Sequence, residues 1–169
     1  MTLSVTSKTL SDYDAQWAFN TATAFLRKSP IADYLIKQLE KQKTVTLTVE
    51  VYADPAQANR NTSDHGVIEW SVLSNDLSSN EASEVTAFLS RTPIEQKPYL
   101  ASQLNLLHLL ALACQQLNNQ LDLRDADAPW PWLDEKTLSA VDIENHVARE
   151  LSEQRLPDEQ NWDRILNGK

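Results

Sequence analysis

The sequence predicts an α+β fold: a central buried helix with amphipathic helices packed on a small antiparallel sheet. Three observations carry this. Residues 98 to 118 form the most apolar run in the chain, residues 44 to 52 alternate strictly between apolar and polar, and several segments repeat apolar residues at helical spacing. At 169 residues the chain has the length of one domain with one core, taken as residues 1–169, with 10–157 as the core and 158–169 as a C-terminal tail.

The apolar run opens with Pro98, which at the start of a helix gives up only an amide that would be unpaired anyway. Leu100, Leu104, Leu106, Leu107, Leu109, Leu110, Ala111, Leu112, Ala113, Cys114 and Leu117 surround the helix on most sides, which predicts an interior position. One polar stripe interrupts it, because Asn105, His108 and Gln115 share a face.

In chain order, residues 12 to 28 predict an amphipathic helix with Tyr13, Trp17, Ala24 and Phe25 at near-helical spacing, acids at its start and Arg27 and Lys28 at its end. A second helix follows Ser29 as N-cap and Pro30 as first residue, burying Ile31, Leu35 and Leu39. Val45, Leu47, Val49 and Val51 then mark one face of a strand that ends at Asp54-Pro55. Gln57 to His65 reads as a polar loop, and Gly66 to Leu73 as a second strand, paired with the first in a long-looped hairpin. A short helix is expected from Glu81 to Arg91, capped by Ser79 or Asn80. Beyond the apolar helix, Asp122 to Trp132 is acidic and broken by Pro129 and Pro131, so Trp130 and Trp132 either plug a groove or face a partner. Residues 136 to 154 predict a last helix with Val141, Ala148 and Leu151 inside, followed by a tail anchored by Trp162, Ile165 and Leu166.

Composition excludes several functions. With two glycines, neither the dinucleotide-binding nor the P-loop pattern exists. A net charge of −9 argues against nucleic acid and suits a soluble protein with a basic partner, or with none. The single Cys114 permits no internal disulfide and no zinc ribbon. The N-terminal stretch lacks the apolar region of a Sec signal, and no run approaches the ~20 apolar residues needed to span a bilayer. These features predict a cytoplasmic protein, or one secreted without a Sec signal, with no membrane partner.

Zinc peptidases of the zincin type carry His-Glu-x-x-His on a helix: the histidines, four apart, face the metal and the glutamate deprotonates its water. Laid over the apolar helix, that motif falls on Leu104-Asn105-Leu106-Leu107-His108, so only the second histidine is present. The order of elements resembles the effector-type zinc metallopeptidases that bacteria deliver into other cells. The matching pieces are Ser-Pro-Ile-Ala-Asp-Tyr-Leu-Ile-Lys-Gln-Leu (29–39), Gly66-Val-Ile-Glu-Trp, the motif-bearing helix, and Ala-Val-Asp-Ile-Glu-Asn-His-Val-Ala-Arg-Glu (140–150) with Leu156-Pro157. The resemblance implies a zincin-like scaffold. It also implies that Leu104 stands in place of the first ligand and Asn105 in place of the base, with no acidic ligand at Thr137 or Leu138. Leucine has no lone pair for a metal, and an amide takes no proton as a carboxylate does.

The expectation is therefore a noncatalytic protein-binding domain on a metallopeptidase-like scaffold, in a bacterial secretion or toxin system, as a pseudoenzyme effector, immunity or adaptor protein. Its contacts are expected at Trp130, Trp132, His108, Asn105 and Gln115, with no catalytic residue and no cofactor. The alternative is a zinc metallopeptidase with an atypical site drawn from His108, His146 and Glu150, since His146 and Glu150 stand four apart on one helix. A third expectation is a scaffold or phage-type structural component. No Gly-x-Ser-x-Gly elbow is present, Cys114 has no cationic neighbour, and carboxylates such as Asp125, Asp127, Glu144 and Glu150 read as acidic surface.

Overall fold

The computed structural model describes residues 2–41, 46–52, 60–62, 66–72, 83–116 and 140–152. The elements are β1 (Thr2–Ser7), α1 (Asp12–Leu26), α2 (Pro30–Lys41), β2 (Thr46–Tyr52), β3 (Arg60–Thr62), β4 (Val67–Ser71), α3 (Ser83–Ser90), α4 (Lys97–Gln116) and α5 (Ala140–Leu151). The expected Ser79 or Asn80 cap, the Asp122–Trp132 segment, His65 and the tail lie outside the described residues.

The fold is α+β, but the sheet is not antiparallel. Among the described residues it has four strands in the order β1-β2-β4-β3; β1, β2 and β4 run parallel, and β3 is antiparallel, against β4. Two features separate this from the expected hairpin. The N-terminal Thr-Leu-Ser-Val-Thr-Ser is itself a strand, joined to β2 through α1 and α2 as a crossover of the kind parallel neighbours require. Between β2 and β4 the chain reverses through β3, so β4 emerges in the direction of β2. Part of the expected polar loop is thus a short edge strand, because ladder hydrogen bonds come from the backbone and need no apolar side chain. The return from β3 to β4 passes Gly66 at φ 62°, a conformation that favours glycine.

Side chains follow the alternation. Val49, Val51, Ile68, Trp70 and Val72 are buried, while Thr48, Glu50, Tyr52, Val67 and Glu69 on the other face are half-exposed. On the buried side lies α4, with Leu100, Leu104, Leu106, Leu107, Leu109, Leu110, Ala111 and Ala113 all buried, as expected for the interior helix. It is fastened to β4 by two hydrogen bonds: Trp70 Nε1 donates to the Ser102 carbonyl at 2.8 Å, and Ser102 Oγ donates to the Ser71 carbonyl at 2.7 Å.

Ser29 caps α2, its Oγ accepting the Ala32 amide at 3.2 Å, and Ile31, Leu35 and Leu39 are buried beneath. The inner face of α1 differs from the expected one. Ala15, Ala18, Phe19, Ala22, Phe25 and Leu26 pack inward, whereas Tyr13 is 73% exposed and Ala24 is exposed. The small alanines let the helix lie close to its neighbours, Trp17 packs partly against the core, and Tyr13 in the first turn is left outside.

Gln103 is fully buried on α4, and among the described residues neither its amide nitrogen nor its amide oxygen has a hydrogen-bond partner. A buried amide without partners costs about 1–3 kcal/mol. Gln103→Met, nearly equal in shape, is expected to raise the urea midpoint by the equivalent of about 1 kcal/mol with an unchanged slope. A lower midpoint would show that the amide is satisfied in solution.

Candidate functional site

The candidate site is built where α5 crosses α4. His108 projects from the middle of α4 and remains 39% exposed, while Glu144, one turn into α5, is fully buried. His108 Nδ1 and Glu144 Oε1 lie 2.9 Å apart. This overturns the reading of Glu144 as acidic surface: it falls on the inner face of α5 between Ala148 and Leu151, with Ile143 and Val147 alongside. The hydrogen bond to Glu144 raises the His108 pKa above the ordinary histidine range, against the opposing pull of partial burial. Such a pair is an oriented imidazole: one nitrogen is held by a buried carboxylate, and the ring keeps a solvent-facing edge.

The rest of α5 is also committed to neighbouring helices. Asn145 Oδ1 accepts the Glu84 amide at 2.9 Å in the first turn of α3, and Arg149 Nε sits 3.3 Å from Glu84 Oε1. Glu150 Oε1 accepts a hydrogen bond from Ser29 Oγ at 2.9 Å, which places a carboxylate at the N-terminus of α2, where the helix dipole favours it.

The expected site residues separate accordingly. Leu104 is fully buried in the core, Asn105 is half-buried beside His108 on the same face, and Gln115 lies in the last turn of α4. Trp130 and Trp132 lie outside the described residues. His146 and Glu150 share α5 with Glu144, yet among the described residues no group of three or more His, Cys, Asp or Glu side chains is arranged to hold a metal ion. The set His108, His146 and Glu150 is therefore not assembled as a ligand cage.

A second polar group was not singled out from the sequence. On the half-exposed sheet face, Glu50 and Glu69 are register partners on β2 and β4. Tyr52 Oη donates to Glu50 Oε2 at 2.9 Å and lies 3.4 Å from Glu69 Oε1. The hydrogen bond to Glu50, then partial desolvation and the charges of both carboxylates, push the tyrosine pKa up to about 12. Its signal in sequence was the pair of glutamates at equivalent positions of two neighbouring strands.

No helix among the described residues is long and apolar enough to cross a membrane. Comparison with protein-family models, curated proteins and solved structures returns no match.

Two titrations test this geometry. Because the folded His108 pKa lies above the unfolded value of about 6.5, the pair contributes stability that is fully present below pH ~6.5 and fades as pH rises through the folded value. NMR titration should find the His108 ring above the ordinary value in the wild type and lowered in Glu144→Gln; equal values would dissolve the pair. For Tyr52, ultraviolet titration should place the phenol near 12 in the wild type and closer to 10 in Glu50→Gln.

Proposed function

We propose that this chain is a noncatalytic protein-binding domain on a zincin-like scaffold, acting in a bacterial secretion or toxin system as pseudoenzyme effector, immunity or adaptor protein. The observation that carries the reading is the fully buried Leu104 at the first motif position, one turn before His108 on the same helix. At the position where a peptidase helix of this kind would present imidazole to an ion, the imidazole is held by a carboxylate of the next helix. The preceding motif position, Leu104, is packed in the core. The hydrocarbon of Leu104 supplies no ligand for zinc, Asn105 supplies no base for water, and one imidazole alone does not hold the ion.

Two features support binding in place of catalysis. Asn105 and His108 form a half-exposed polar edge on a largely apolar helix, and His108 is held there by Glu144 of α5, a helix itself bonded to α3 and α2. The chain carries −9, and Glu50 and Glu69 add negative potential on the sheet face, which favours approach of a basic protein surface.

The test is metal content measured beside peptidase activity on the purified protein. The proposal expects less than stoichiometric zinc and no cleavage of casein or of unstructured peptides, in the wild type and in His108→Ala alike. It also expects that a partner identified by proximity labelling binds the wild type with a Kd that rises at least about tenfold in Asn105→Arg, a change of about 1.4 kcal/mol. Stoichiometric zinc that is lost in His108→Ala would replace this reading with the metallopeptidase one.

A further inference from the structure

No further inference is drawn: the strongest candidate, the side-chain cluster of Tyr52, Glu50 and Glu69 on the half-exposed face of the sheet, is a pair of carboxylates sharing one phenol, and nothing among the described residues points to a ligand there.

Discussion

The arrangement depends on one buried charge. Glu144 has no exposed surface, and moving a carboxylate out of water costs several kcal/mol, of the order expected for an ion in a protein interior. That cost is tolerable only where a partner of fixed geometry waits, and His108 supplies it at 2.9 Å. The consequence is register. Sliding α5 by one turn along α4 would keep Ile143, Val147 and Leu151 against hydrocarbon, but it would strand the carboxylate. Apolar packing holds the two helices together, and the pair decides how they are aligned.

Once α5 is aligned, Asn145 and Glu150 also reach partners on neighbouring helices. Asn145 meets the first turn of α3 and Glu150 meets Ser29 at the start of α2, so both contacts satisfy groups that helix ends leave unpaired or favour with their dipole. Ser29 is used twice, accepting the Ala32 amide and donating to Glu150. The helical layer is therefore joined by bonds that converge on one short helix, while the sheet is joined to it separately through Trp70, Ser102 and Ser71.

Those two kinds of connection explain what could be read from the sequence. The elements follow from local rules: β2 from its alternation, α2 from Ser29-Pro30, α4 from its length of apolar residues, and each forms close to the expected place. Strand direction does not follow from local rules, because Val49 and Val51 alternate identically whether their neighbour runs parallel or antiparallel. Direction was decided by the chain path, through β1, whose alternation rests on two apolar residues among hydroxyls, and through β3, whose polar residues gave little sign of a strand. The site was half legible. His108 stood out because it interrupts an apolar surface, but its partner is 36 residues away on another helix and looked like one acid among many. The projection of α5 would have placed Glu144 inside, between Ala148 and Leu151; charge alone argued for the surface. Leu104 shows the converse, since its burial follows at once from the helix being apolar on most sides.

The functional reading turns on what stands beside His108. An imidazole can serve as a metal ligand, a base or a recognition group, and the choice depends on what holds its second nitrogen and what stands nearby. Orientation by a carboxylate is common to all three. Catalysis needs a further element, either additional ligands around an ion or a nucleophile within reach of the imidazole's free edge. On α4 the neighbours along the His108 face are Leu104, which coordinates nothing, and Asn105, which donates and accepts hydrogen bonds but holds no exchangeable charge. What this surface does well is present a fixed, partly exposed polar edge bounded by apolar residues. In the proposed binding role, such an edge would set specificity through a few aimed donors. By aligning two helices Glu144 also fixes that edge in place, and in the proposed role a fixed edge would lose less entropy on meeting a partner.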